Sequence, residues 1–491
     1  MRLSKLVQGI EKVNIVYGEK DWEREIIRLT TDSRGENQDG LFFCLTGGKT
    51  DAHAFAAEAI RRGATAIVVE RVLNVDVPQI LVGDSREALA LMSATFYGNP
   101  SENLKIIGIT GTNGKTTTSY MLAEVLKEAG KNVGVIGTLG VRFGESVSEC
   151  DLTTPDPIPL QKTLAEMFLR GVEYVVMEVS AHALYYKKTE GVRFTACIFT
   201  NLTQDHLDFF KDMTAYKRAK TALFSNDICP IAILNGDDET GRYLGGLRGN
   251  ANTLYYGLHT PSDAFAIVTD ETLNKTECVM NINDEIQRVS LSFAGKHNVY
   301  NALAAASCAV ALGVDLRTVG KGLFALQGVK GRLERICSMN GADIFVDFAH
   351  TPDGLEQSLT VLRRHCKGRL VCIFGCGGNR DKSKRSIMGE TVAKKCDFAV
   401  LTSDNPRYED PLDILSEIEK GYRRFSVKYV VVSDREKAIE YGMNFLRKGD
   451  VLLVAGKGGE NYQEIMGIKY PFNDNDIIEK IRNRKGDKID F

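Results

Sequence analysis

Apolar and polar positions follow three successive rhythms along this chain. Over residues 1–100, short strand-like runs at 26–30, 41–45, 64–69 and 79–82 alternate with helix-period stretches at 54–62 and 86–97. Asn99-Pro100-Ser101 marks a turn and a boundary. The second rhythm, 101–331, opens with an apolar run at 104–109, a glycine-rich segment and an amphipathic run at 116–129. The last of these keeps Met121, Leu122, Val125, Leu126 and Ala129 on one face, and Gly130 is placed to end it. Apolar runs at 133–136, 174–177 and 196–200 predict further buried strands, the first of them parallel to 104–109. Residues 301–314 predict an alanine-rich helix, and 328–331 a linker. In the third rhythm, 332–491, strand patterns at 344–348, 370–374, 398–401, 429–432 and 451–454 alternate with helical stretches, the signature of a doubly wound, mainly parallel sheet. The chain is therefore expected to be α/β with three domains: a small one at 1–100, a central P-loop-type one at 101–331 and a Rossmann-like one at 332–491.

Composition changes this picture little. A chain of 491 residues exceeds one hydrophobic core, and 43% hydrophobic with 26% charged residues is ordinary for a globular protein. A net charge of -2 gives no electrostatic footprint for nucleic acid or an anionic membrane, and neither is expected as a partner. Basic runs at 382–385 and 482–485 read as solvated faces. Eleven cysteines stand singly; Cys372 and Cys376, four apart, are the nearest to a metal-binding pair, and the set suits a reducing compartment. The first residues lead into Gln8, Glu11 and Lys12 without a signal-peptide core, and no apolar run is long enough to span a bilayer, so a cytoplasmic protein is expected.

The densest chemistry lies in Gly108-Ile-Thr-Gly-Thr-Asn-Gly-Lys-Thr-Thr117. A strand, a glycine loop and a helix in this order make a phosphate cradle of backbone N–H groups. Gly111, Thr112, Asn113 and Gly114 would line it, Lys115 would reach the terminal phosphates of ATP, and Thr116, beside Thr117, would offer its hydroxyl to Mg²⁺. The first glycine of the general P-loop pattern is displaced, since Ile109 stands where it should fall. Glu178 ends the apolar run at 174–177 and suits an octahedral Mg²⁺ beside a P-loop threonine. Asp205, His206 and Asp208 follow the next run and could hold a second metal. Lys220 lies in a basic helical stretch and, by pattern alone, is a solvated surface charge. In the third region four strand ends carry polar groups: His350 and Asp353; Arg380 and Lys384; Arg407; and Glu460. Four such loops on one sheet edge make a binding site, and opposed Arg and Glu groups suit an amino acid.

These segments, with Glu178-Val-Ser180, Asn201-Leu-Thr-Gln-Asp-His-Leu-Asp208, His297-Asn-Val-Tyr-Asn301 and Asp347-Phe-Ala-His-Thr-Pro-Asp353, resemble the Mur ligase family across nearly the whole chain. The likeness is to the branch that adds the third residue of the peptidoglycan stem peptide. It implies an ATP- and Mg²⁺-dependent ligase acting on UDP-N-acetylmuramoyl-L-alanyl-D-glutamate through an acyl phosphate, working as a monomer. Thr31-Asp-Ser-Arg34 then resembles the uridine region through Ser33, and Thr153, Thr154, Ser180 and Lys188 match contacts to the nucleotide-sugar peptide. Asn301, Arg332 and Asp347 match contacts to the adenine nucleotide. Lys220 matches a lysine carbamylated by CO₂ that shares a metal with His206, while Glu178 and Thr116 hold the other. His350, Arg380, Asp404, Asn405, Arg407, Gly456 and Glu460 match the pocket of the incoming amino acid. Asp404-Asn-Pro-Arg407 resembles the signature for meso-diaminopimelate, whose second carboxylate an arginine can clamp; L-lysine lacks that carboxylate and is the alternative. Ala181, Tyr186, Lys188 and Gly459 replace the family's usual Ser, Gln, Arg and His. A folylpolyglutamate synthase-like ligase shares the ATPase core but generally lacks a uridine-binding first domain, and a nucleotide switch would not need the loaded strand ends.

Overall fold

The computed structural model describes all residues except 9, 11–13, 16–22, 49, 250 and 485–491. Glu11, Lys12 and Lys485, on which two expectations partly rested, lie outside the described residues. The chain divides into two compact units, one of Met1–Thr110, Lys131–Cys197 and Ala219–Ile231, the other of Gly111–Gly130, Ile198–Arg218 and Ala232–Phe491.

In the first unit, Arg28–Thr30, Gly40–Phe43, Ala64–Val69 and Gln79–Leu81 form a parallel sheet in that spatial order, with Asn14–Ile15 antiparallel on the far edge. Leu41, Phe43, Ala66, Val68 and Ile80 turn to one face and pack against Leu3, Leu6, Ala88 and Met92. A second sheet is ordered Phe194–Phe199, Lys105–Thr110, Tyr174–Glu178, Val133–Gly137, then the hairpin Gly140–Phe143 and Ser146–Ser148. Tyr174–Glu178 runs parallel to both Lys105–Thr110 and Val133–Gly137, so the expected parallel pair is separated by an intervening strand. Every residue of the two strands Val133–Gly137 and Tyr174–Glu178 is buried, which explains their unbroken apolar character.

In the second unit, Ile231–Asn235, Thr253–Gly257 and Ala264–Thr272 pair in parallel, and Lys275–Ile282 and Glu285–Leu291 continue antiparallel. The helix Lys115–Glu128 belongs to this unit, and a Cβ on Gly322 of Leu316–Ala325 would collide with Val125, so the two helices meet backbone to backbone. The six-stranded sheet has the order Glu334–Met339, Ala342–Asp347, Val451–Ala455, Leu370–Phe374, Phe398–Leu401, Lys428–Val431, parallel apart from the first pair. Pro352–His365, Ser383–Lys395 and Pro411–Tyr422 cover one face through Leu355, Leu359, Met388, Val392 and Ile418. Arg435–Phe445 and Asp474–Arg484 cover the other through Ala438, Ile439, Met443, Ile478 and Ile481. This is the doubly wound architecture expected, and it brings its loop-bearing strand ends to one edge.

At the end of the expected linker 328–331, Gly331 has φ +66, and a Cβ there would collide with the backbone of Gly458 and Gly459. One expectation is corrected. The run 382–385 is not a solvated face. Lys384 and Arg385 are buried, Lys384 beside Asp205 and Arg385 between Glu409 and Glu417, partners too distant in sequence for a local charge count to reveal.

Candidate functional site

The phosphate loop is held by the segment that follows Phe194–Phe199. Thr112 N–H donates to the Asn201 carbonyl at 2.8 Å, Asn113 N–H to Asn201 Oδ1 at 2.9 Å, and Thr200 Oγ1 to the Asn113 carbonyl at 2.6 Å. Gly111 has φ +146, and a side chain there would run into Thr200 Oγ1. Gly114 has φ +87 and faces Asn301 Oδ1, which leaves no space for a Cβ. Both glycines are thus required by close approach as well as by backbone conformation. Lys115 Nζ donates to the Gly111 and Thr112 carbonyls, each at 2.8 Å, so its ammonium lies along the loop where phosphate oxygens would compete for it. These amides and this cation fit a polyphosphate.

Polar groups of the six-stranded sheet reach the same loop within the second unit. Arg332 Nη2 donates to Thr116 Oγ1 at 2.9 Å while its guanidinium lies 4.3 Å from the Phe348 ring centroid. Asn113 Nδ2 donates to Asp353 Oδ2 at 2.8 Å. Asn301 accepts from Thr118 Oγ1 and donates to Asn298 Oδ1. The Asp347 oxygens accept the Leu333 and Ala349 amides and the Ser358 hydroxyl, which braces the corner between strand and loop.

Asp205 and His206 sit at the junction. His206 has φ +57, and its Nε2 lies 3.4 Å from Asp205 Oδ2. Burial alone would push the Asp205 carboxyl up. The Lys384 ammonium at 3.2 Å, with His350 and His206, outweighs it and holds Asp205 well below the usual carboxylate range. Asp205 is thus committed to Lys384, and among the described residues no three His, Cys, Asp or Glu side chains stand close enough to hold a metal by themselves. That corrects the expectation that Asp205, His206 and Asp208 together could hold a metal; Cys372 and Cys376 are both buried free thiols. Mg²⁺ does not need such a cage, because it keeps waters and binds through one or two carboxylates plus phosphate oxygens.

In the first unit Glu178 is fully buried. Thr138 donates to it twice, N–H to Oε1 at 2.9 Å and Oγ1 to Oε2 at 3.1 Å. Thr154 Oγ1 donates to the Glu178 carbonyl and accepts the Ser180 amide, and Thr153 Oγ1 lies 3.1 Å from Thr138 Oγ1. Thr138, just beyond a buried strand, escaped the sequence reading although its strand-end position was a usable signal. Lys188 pairs with Asp156 at 2.7 Å, and Ser33 lies buried in the turn after Arg28–Thr30. Lys220 contradicts its surface reading: it is 2% exposed, on the same face of Met213–Thr221 as buried Tyr216.

The loaded strand ends of the six-stranded sheet converge. Burial would raise the Asp404 carboxyl, but Lys457, Arg435, His350 and Arg407 together lower it. Gly456, at φ +116, leaves no space for a side chain against Asp404 Oδ2. Asn405 Nδ2 donates to Glu460 Oε2 at 3.0 Å, and buried Lys457 donates to both Asn405 Oδ1 and Glu460 Oε2. Arg407 is held by Glu464, a residue the sequence reading missed, whereas Arg380 is exposed and His350 is bonded through Nδ1 to its neighbour Phe348's carbonyl.

Comparison with known proteins agrees with this architecture. Residues 25–97 match a model described as Mur ligase family, catalytic domain; 109–309 match the Mur ligase middle domain; and 331–458 match the Mur ligase, glutamate ligase domain. A UDP-N-acetylmuramoyl-L-alanyl-D-glutamate–2,6-diaminopimelate ligase of Clostridium acetobutylicum is 41% identical over 98% of this chain and 99% of its own. The enzyme of the same name from Geobacillus kaustophilus is 40% identical over 94% and 96%. A solved structure of a ligase of that name covers 99% of both chains at 28% identity, with a TM-score of 0.69.

Proposed function

The chain belongs to the Mur ligase family, and from that premise we propose that it joins meso-diaminopimelate to the D-glutamyl side chain of UDP-N-acetylmuramoyl-L-alanyl-D-glutamate at the expense of ATP. The observation that supports this most is that the phosphate loop and the acid- and base-bearing edge of the six-stranded sheet are bonded within one compact unit, through Thr116–Arg332, Asn113–Asp353 and Asp205–Lys384. A polyphosphate cradle and an amino-acid pocket so linked suit transfer of an activated acyl group to an amine.

A carboxylate does not acylate an amine because oxide is a hopeless leaving group. Transfer of the γ-phosphoryl group to the glutamyl carboxylate gives an acyl phosphate and ADP; amine attack then expels phosphate. Lys115, withdrawn from the Gly111 and Thr112 carbonyls, follows the γ-phosphoryl group, and the loop amides from Gly111 to Thr116 hold the remaining phosphates. Mg²⁺, when bound, neutralises charge on the phosphoryl oxygens. We assign Thr116 and Glu178 to one Mg²⁺ and His206 with a carbamylated Lys220 to a second, donor sets rich in oxygen and apt for this cation. Asn301, Arg332 and Asp347 are assigned to the adenine nucleotide. Ser33 is assigned to the uridine, and Thr153, Thr154, Ser180 and Lys188 to the sugar peptide. His350, Arg380, Asp404, Asn405, Arg407, Gly456 and Glu460 surround the incoming amine. Regions 1–100, 101–331 and 332–491 thereby take the nucleotide sugar, ATP and the amine. We place it as a cytoplasmic monomer acting on these small molecules, on the strength of the family resemblance alone. Among its described residues no helix is long and apolar enough to cross a membrane.

The amine is tested by comparing kcat/KM for meso-diaminopimelate and L-lysine with the nucleotide-sugar dipeptide and ATP. A charge-assisted contact to the second carboxylate predicts a preference for diaminopimelate of about 10- to 100-fold. Equal use of the two amines, or a preference for lysine, would remove Arg407 from that role.

A further inference from the structure

The hairpin Tyr462–Ile465 and Ile468–Pro471 lies beyond the loop that carries Glu460, yet its first strand is bonded to nearly every residue of the segment 404–407. Gln463 Nε2 donates to the Asp404 carbonyl at 2.7 Å, and the Glu464 amide donates to Asn405 Oδ1 at 2.9 Å. The Arg407 amide donates to the Glu464 carbonyl at 3.0 Å, and the Met466 amide to the Arg407 carbonyl at 2.7 Å. These bonds hold Arg407 at φ +53, a conformation a long side chain rarely adopts unaided.

The side chain is fixed as firmly as the backbone. Arg407 Nε donates to Glu464 Oε2 at 3.0 Å and Nη1 to the Gly378 carbonyl at 2.8 Å, with both ion-pair partners mostly buried. A Cβ on Gly377 would come within 2.9 Å of Nη1, so the guanidinium is wedged against the glycine loop. What remains for a ligand is Nη2 with its two hydrogens, which has no protein acceptor among the described residues. An unheld arginine loses rotamer freedom when it clamps a carboxylate; one held at two edges has already lost it.

We propose that Glu464 is a positioning residue for amine selection: it orients the Arg407 guanidinium so that Nη2 meets the second carboxylate of the amine substrate. This rests on the diaminopimelate reading above. Glu464 touches no reacting atom, so its removal changes recognition of the amine and not the chemical step.

Three substitutions separate reach from charge. Glu464→Ala removes the acceptor, Glu464→Asp keeps the charge but withdraws it by one methylene, and Glu464→Gln keeps an oxygen within reach of Nε. Glu464→Ala and Glu464→Asp are expected to raise KM for meso-diaminopimelate about tenfold, with kcat and KM for the nucleotide-sugar dipeptide within about twofold of the parent. Glu464→Gln is expected to stay within about threefold. Glu464→Asp keeps the test open if the alanine variant does not fold. An unchanged KM for diaminopimelate, a fall in kcat alone, or an equal rise in KM for the nucleotide sugar overturns the role of Glu464. A parent protein that ignores meso-diaminopimelate overturns the amine assignment as well; a parent that uses it beside unaffected variants overturns only this inference.

Discussion

Replacing Lys220 with alanine is expected to lower kcat by about 10³-fold or more, the scale seen when a charge-stabilising group is removed from a transition state. Lys220 is 2% exposed, although it lies in a basic helical stretch where Arg218 is exposed and Lys217 half-buried. A buried lysine is costly unless it is paired, and the carbamate proposed for Lys220 would make its side chain an anion with two oxygens for a cation. Formate or acetate added to the alanine variant should restore part of the activity by filling that place, whereas added chloride should not. Unfolding measurements on the same variant separate a chemical loss from a structural one. Full activity without Lys220 would remove it from the mechanism.

Replacing Arg435 with methionine is expected to destabilise the protein by about 3–5 kcal/mol, the range for stranding one partner of a buried ion pair. Arg435 and Asp474 are both fully buried and joined by two bonds, Nε to Oδ1 at 2.8 Å and Nη2 to Oδ2 at 2.7 Å. Arg435 Nη2 also donates to the Ala455 carbonyl at 3.0 Å, and Nη1 to that of Ser403 at 3.4 Å. Those carbonyls directly precede Gly456 and Asp404, so the pair ties together two strand ends of the proposed amine pocket. Changing Asp474 to leucine in the same chain should recover most of the loss, because both charges then leave the core together. Urea unfolding of the single and double variants decides it; a single variant within about 1 kcal/mol of the parent would show the pair to be dispensable.

Where local periodicity and tertiary burial coincide, the sequence was an adequate guide. The buried strands Tyr174–Glu178 and Leu370–Phe374 are continuous apolar runs, and the βα alternation after residue 332 leads directly to the doubly wound sheet. The strands Ala264–Thr272, Lys275–Ile282 and Glu285–Leu291 were not legible, because charged residues such as Asp270, Glu277 and Arg288 dilute their alternation. The hairpin bearing Glu464 is short and largely exposed, so it left no apolar signal. Long-range pairing was hidden too: Lys384 and Asp205 are 179 residues apart, and a run of basic residues gives no hint that one of them is buried against a distant carboxylate. The resemblance assigned Asp347 to the adenine nucleotide but gave no sign that protein donors engage both its oxygens. Motif residues at strand ends were recoverable from pattern; the braces that hold them, Thr138, Lys457, Arg435 and Glu464, were not.

The most direct test is isotopic. UDP-N-acetylmuramoyl-L-alanyl-D-glutamate labelled with ¹⁸O in the glutamyl side-chain carboxylate is turned over with ATP and meso-diaminopimelate, and the released phosphate is analysed by mass spectrometry. An acyl phosphate built in the cradle around Lys115 sends one labelled oxygen into inorganic phosphate for each amide formed. Phosphate that carries no label, or that appears at the same rate without the nucleotide sugar, would contradict ligation by this route.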